Sequence, residues 1–378
     1  MAGMTAKTET DLSHSNTDKP MEFIPMPKAF MESVKLPGFP MGYMSIITGW
    51  SNTGKSTLKY CLMASCINNG ILPIIYETEN NFDWKYAMDC GVKATPIYDE
   101  VEVEYINEET GEVTVEKERR IVEHKGDFIF LDTALLAKYY GMNDYSSGKQ
   151  TKNCRKQAVI EDIAYSMNEF LDMQEKGQIQ QPICFIWDSV GSIQSFKSYT
   201  SKVGNNMFDA ASLSAAFTNI TNSRIPSSKR ISEPYSNTFV CINKIWNDSM
   251  NSMGGAASIE LKGGKSFYYS ARLILHLGGV SKPSTKKLNA IAKGQTYNYG
   301  TVSKIRATKN QLPTPYNISY EGEFACVHNG LCPVDEIENY KKTHMKELIE
   351  RVSTMGGNKI EIVENDISFV EEEVSEMM

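Results

Sequence analysis

The sequence predicts an α/β chain built on a mostly parallel central sheet flanked by helices, with one inserted β-hairpin. Three observations predict it. Short apolar runs that suit buried strands alternate with helix-length segments. A glycine-rich turn at 49–57 joins one such run to a helix. A stretch at 99–123 breaks the alternation with the two-residue period of a strand pair.

The elements follow in order. Residues 1–30 read as a flexible N-terminal segment, because 1–20 are polar and rich in Thr, Ser, Asp and Lys. The core then spans 31–333. Leu36-Pro-Gly-Phe-Pro-Met-Gly42 leads into the strand Met44-Ser-Ile-Ile-Thr48, and Leu58 to Ile67 suits the helix after the turn. Ile71-Leu-Pro-Ile-Ile-Tyr76 is a second strand ending in Glu77-Thr-Glu79, and Phe82 to Cys90 suits a short helix stopped by Gly91. In 99–123, Val101, Val103 and Tyr105, then Val113 and Val115, alternate with polar residues around Asn107-Glu-Glu-Thr-Gly111, which predicts a hairpin with one solvated face. Phe128 to Leu131 is a strand, 143–156 is polar and carries Lys149, Lys152, Arg155 and Lys156, and 157–176 suits a helix. Ile183–Asp188, Thr238–Asn243, Arg272–Leu277 and Val302–Ala307 complete the strands. A C-terminal helix and tail fill 334–378; the last 18 residues hold seven acids and no base, a pattern of a solvated tail.

Composition excludes several classes. With 39 basic and 46 acidic residues the net charge is −7, which argues against a uniformly basic coat but not against a local basic groove. No apolar run reaches the length of a membrane span, and no apolar signal region opens the chain, so the expectation is a protein of the cell interior without a membrane partner. None of the eight cysteines forms a C-x-x-C pair, as expected for reduced thiols.

The turn at 49–57 reads Gly-Trp-Ser-Asn-Thr-Gly-Lys-Ser-Thr and matches the phosphate-binding pattern G-x-x-x-x-G-K-[ST]. Gly49 and Gly54 allow the backbone close to an anion, and the amides of Ser51, Asn52, Thr53 and the helix start at Lys55, Ser56 and Thr57 face it. Lys55 is placed to reach the β- and γ-phosphates of ATP, and the Ser56 hydroxyl to bind Mg²⁺. Asp188 closes the apolar run 183–188, where such proteins place the acid of the magnesium shell; many strand-ending acids only cap turns. Either Glu77 or Glu79, at the end of the neighbouring strand, could orient the attacking water; spacing does not separate them.

Taken together, these segments resemble the RecA family of recombinases, phage UvsX-type members in particular. The likeness runs from about 36 to 325 and lies in the ordered set: Leu36–Gly42, the phosphate loop, Ile75–Asp83, Trp187–Val190, Phe239–Asn243, Gly263-Gly264 with Phe267–Leu273, and Lys304–Pro313. It implies a RecA-like ATPase core and puts the catalytic glutamate on Glu79 rather than Glu77. It also implies adenine contacts by Asp83 and Tyr86, γ-phosphate sensing by Asn243, and Lys309 at a neighbouring subunit's ATP. The chain departs from the family pattern at Lys244, where a sensor glutamine is usual, at Gln311, where a second lysine is usual, and in the 99–123 insertion. Lys244 keeps the sensing role as an expectation.

The same resemblance places two DNA-binding loops at about 194–208 and 245–262. The first holds Lys197, Tyr199 and Lys202, and the second Asn247, Asn251 and Lys262. Lysines neutralise phosphates and an aromatic can stack a base, although by themselves these residues would suit an ordinary surface loop. The implied protein is an ATP- and Mg²⁺-dependent recombinase of the bacterial or phage-infected cytoplasm. It would form helical filaments of its own copies on single-stranded DNA and pair them with double-stranded DNA, with a loading mediator or single-strand-binding protein as further partners. Two alternatives accompany it. A hexameric replicative helicase would carry an N-terminal domain for which residues before 36 leave no room. A non-catalytic mediator paralogue sits poorly with an intact Lys55, Glu79 and Asp188.

Overall fold

The computed structural model describes residues 17–106, 111, 113–201, 206–247, 259–261, 264–279, 284–355 and 361–374. The chain opens with β1 (Phe23–Pro25), α1 (Lys28–Val34), β2 (Gly38–Pro40), β3 (Met44–Gly49), α2 (Lys55–Asn68), β4 (Leu72–Glu77) and α3 (Trp84–Asp89). It continues through β5 (Thr95–Ile106), β6 (Val113–Lys125), β7 (Ile129–Asp132), α4 (Thr133–Tyr140), β8 (Asn143–Asp144), β9 (Lys149–Gln150), α5 (Ile160–Glu175) and β10 (Ile183–Val190). Then come α6 (Phe196–Ser201), α7 (Asn206–Asn219), β11 (Thr238–Asn247), β12 (Ile259–Leu261), α8 (Gly264–Ser270) and β13 (Leu273–Leu277). The last elements are β14 (Thr285–Ala292), β15 (Gln295–Asn310), β16 (Glu321–Val327), β17 (Gly330–Cys332), α9 (Ile337–Thr343), α10 (Met345–Ser353) and β18 (Ser368–Val374).

A 12-stranded sheet organises the molecule, and it is mixed rather than mostly parallel. Six strands in the order β13-β3-β11-β10-β4-β7 run parallel. Beyond β13, the strands β15, β16, β17, β14 and β18 are antiparallel to their neighbours. The parallel half follows from its residues. All eight positions of β10 are buried, and so are all six of β3, as continuous apolar runs in a two-sided sheet must be. Leu58, Leu62 and Met63 of α2 pack one face, and Ile163, Met167 and Leu171 of α5 with Phe217 of α7 pack the other. The stacked rings of Trp187 and Phe217, 5.4 Å apart, anchor the second face. A third core joins the antiparallel extension to α9 and α10 through Tyr299, Val302, Tyr340, Leu348 and Val352.

Other expectations change as well. Residues 17–30 are not a flexible lead: β1 pairs with β2, and Ile24, Met26, Ala29 and Phe30 are buried; residues 1–16 lie outside the described residues. The hairpin is longer than 99–123 and forms its own two-stranded sheet, with both faces largely exposed instead of one. Arg155, one of the four bases of the polar stretch 143–156, is 8 % exposed and forms a two-pronged bond to Asp162 at 2.7 and 3.0 Å. The acidic C-terminal run is not a free tail over its described part. It forms β18 along the edge strand β14, with Phe369 against the Tyr299 ring at 5.8 Å and Lys293 paired to Asp366 at 3.1 Å. No helix among the described residues is long and apolar enough to cross a membrane.

Candidate nucleotide site

Parallel strands deliver their C-terminal ends to one edge of the sheet, where ligands bind in open α/β folds. Four adjacent strands do so here. Gly49 ends β3, with Lys244 of β11 as its neighbour on one side and Leu277 of β13 on the other. Asn243 lies opposite Thr48 and is 1 % exposed. One strand further on, Asp188 of β10 pairs with Glu77 of β4. The phosphate loop, Asn243, Asp188 and Glu77–Glu79 thus share one edge by register alone.

The loop itself is shaped by its glycines. Gly54 has φ +94°, and a Cβ there would lie 2.4 Å from Cys326 Sγ. A Cβ on Gly49 would lie 2.4 Å from the Leu277 carbonyl oxygen of the adjacent strand. Within the loop, Thr53 Oγ1 donates to the Trp50 carbonyl at 2.8 Å, and Trp50 Nε1 donates to the Gly279 carbonyl at 2.9 Å. Lys55 turns back over the loop, its Nζ donating to the Gly49 carbonyl at 3.0 Å and to that of Trp50. Ser51, Asn52 and Ser56 are exposed, whereas Thr53 and Thr57 are buried.

Beside the loop opens a cleft of about 590 Å³, lined by Asn52, Gly54, Lys55, Ser56, Thr57, Asp83 and Tyr86. Asp83 caps α3 by accepting the N–H of Tyr86 at 2.9 Å. The Tyr86 hydroxyl donates to the Val327 carbonyl at 2.9 Å, so the 2.9 Å bond with Thr57 Oγ1 has the threonine as donor. The Tyr86 ring is therefore fixed between the loop helix and β16. Burial pushes its phenol well above the usual tyrosine range. The far wall comes from residues that the sequence reading gave no part in the site: Lys287, Tyr297–Thr301, His328 and Arg351.

The two glutamates differ sharply. Glu77 is 1 % exposed; its Oε2 accepts from Lys59 Nζ at 2.9 Å and its Oε1 from the N–H of Glu79 at 3.0 Å. Burial raises its carboxyl above the usual range, against the pull of Lys59. Glu79 is half-buried, accepting from Ser189 Oγ and, at 3.1 Å, from Asn81 Nδ2. Asp188 is 4 % exposed, with Oδ2 held by Lys59 at 2.6 Å. Lys59 went unread in the sequence; its only signal was a lysine inside the apolar run 58–67.

Lys309 is not at this cleft. It stands on β15 opposite Ile274, near the other end of the parallel strands, and donates to the carbonyls of Tyr268 and Tyr269 at 3.1 and 3.0 Å. The first expected DNA loop is partly helical. Lys197 and Tyr199 lie on α6, which Asp209 ties down by accepting from Ser195 and Ser198; Lys202 lies outside the described residues. The second begins as an extension of β11 paired with β12, with Asn247 opposite Ile259. Asn251 and Lys262 lie outside the described residues.

Comparison of the sequence with protein-family models and with curated proteins found no match.

Proposed function

We propose that the chain is an ATP-dependent DNA recombinase of RecA type, working as a filament on single-stranded DNA. The observation that carries the nucleotide half is the convergence of a phosphate loop, a strand-ending Asp188 and a half-exposed Glu79 on one edge of four adjacent parallel strands. The DNA half rests on the ordered sequence resemblance.

The residues suit Mg-ATP. Gly49 and Gly54 let the loop lie against Leu277 and Cys326 where a Cβ would clash, and Ser56 and Asp188 offer the hard oxygens magnesium prefers. Magnesium, when bound, neutralises charge on the β- and γ-phosphates. Lys55 exchanges the carbonyls of Gly49 and Trp50 for phosphate oxygens. Asp83 and Tyr86 receive the adenine, on the cleft wall beside the loop. Glu79 orients the attacking water; Glu77 is unsuited to that task, since it is buried and ion-paired to Lys59, whereas Glu79 is half-exposed. Asn243 and Lys244 lie on β11, which runs on to Asn247 in the second DNA segment, so a change at the γ-phosphate has a short path to DNA. Lys309 lies away from its own cleft, which suits a role in a neighbour's.

The test is nucleotide turnover with and without single-stranded DNA, with electron microscopy of the assemblies. DNA-stimulated turnover with helical filaments supports the proposal. Closed rings favour a helicase, and absence of both turnover and assembly favours a mediator paralogue.

A further inference from the structure

Among the charged side chains that none of these roles uses, one is buried between two acids of the site. Lys59 stands one turn after Lys55 on α2, and its side chain is 1 % exposed. Burial of an ammonium normally favours loss of its proton. Here two carboxylates stand against that cost of burial, those of Asp188 and Glu77. Nζ donates 2.6 Å to Asp188 Oδ2 and 2.9 Å to Glu77 Oε2.

Those two bonds close a ring. Glu77 passes from Lys59 to the backbone N–H of Glu79 at 3.0 Å. The Glu79 carboxylate accepts from the hydroxyl of Ser189, the residue after Asp188, and Asp188 returns to Lys59. The ring joins α2, β4 and β10 directly beneath the phosphate loop. Two carboxylates face the one ammonium directly, and with Glu79 the ring holds three acids to one base. A neutral side chain at 59 would leave two buried acids facing each other.

We infer that Lys59 is a positioning residue for nucleotide hydrolysis: its ammonium holds Asp188 and, through Glu77, the backbone of Glu79 in a fixed relation to the phosphate loop. The inference rests on the reading of this site as a Mg-ATP site. It assigns Lys59 no contact with nucleotide; its effect passes through the two acids. Because it grips Asp188 directly, it also sets how readily that carboxylate serves magnesium.

The test uses the full chain and two variants, Lys59→Met and Lys59→Met/Glu77→Gln. The single variant strands two buried acids and can fail to fold. The double removes the ammonium together with one of its two carboxylates, so that Asp188 remains as a single buried acid, and the new amide oxygen still accepts from the N–H of Glu79. Thermal melting reports folding. Fluorescent N-methylanthraniloyl-ATP reports binding in EDTA and across a MgCl₂ titration, and steady-state turnover gives kcat and KM. The double variant is expected to fold and to bind nucleotide in EDTA as the wild type does. Its kcat falls about 10²-fold at unchanged KM, the scale of an ångström of misplacement, and its magnesium half-saturation shifts. Wild-type kcat and magnesium dependence in the double variant overturn the inference while leaving the site assignment standing. A double variant that cannot fold assigns the ring to folding alone and overturns it too. A wild-type chain that neither binds nor hydrolyses nucleotide removes the site assignment itself, and the inference with it.

Discussion

Gly54→Ala tests whether the phosphate loop depends on its backbone in the way the geometry requires. Two separate costs apply. At φ +94° an L-residue sits in the left-handed region, which costs about 1–2 kcal/mol. The added Cβ would also stand 2.4 Å from Cys326 Sγ and 3.2 Å from the Phe324 ring, an overpacking cost of about 1–3 kcal/mol. The sum is about 2–5 kcal/mol. Cys326→Ala opens space for the new methyl, so Gly54→Ala/Cys326→Ala should be destabilised by about 1 kcal/mol or more less than the two single variants added together. The assay is urea unfolding of all four proteins, with N-methylanthraniloyl-ATP binding measured alongside. Binding should remain impaired in the double variant, because the left-handed strain stays in the loop. Full stability of Gly54→Ala, or strict additivity of the two changes, would refute the reasoning.

Two further outcomes follow from the packing. Arg155→Leu should cost about 3–5 kcal/mol in urea unfolding, because it strands the buried Asp162, whereas Lys156→Leu next to it, exposed, should stay within about 0.5 kcal/mol; equal effects would mean that the pair with Asp162 does not hold the fold. Phe369→Ala should cost about 2 kcal/mol, since the ring packs on Tyr299 and under Lys341 from a half-buried position, and a variant as stable as the wild type would mean that β18 does not hold the sheet edge.

What the sequence disclosed follows the range of the interactions. The strand, glycine turn and helix around 49–57 were legible because the turn lies within nine residues and its shape comes from glycine and the following helix start. The buried strands around Ile186 and Ile46 were legible because two-sided burial leaves an unbroken apolar run. The Lys59 ring was not, because its bonds span 18 and 129 residues and no local pattern marks them. The antiparallel extension escaped for a different reason. Its β14–β15 turn is Lys293-Gly294, both at positive φ, a two-residue hairpin signal with lysine where asparagine is usual. Arg155 resembles its solvated neighbours Lys152 and Lys156 in the chain, and only the fold sets it against Asp162, Tyr145 and Phe196. The acids of β18 outnumber Phe369 and Val370, so charge hid a strand that an edge position tolerates.

The central claim is that this edge of the sheet hydrolyses ATP with Glu79 as the group that orients water. Glu79→Gln measures it most directly, because the carboxylate is half-exposed and the substitution keeps its size. N-methylanthraniloyl-ATP should bind the variant as it binds the wild type. Single-turnover hydrolysis on single-stranded DNA should fall by about 10²-fold or more. Unchanged hydrolysis in the variant, with binding intact, would contradict the account.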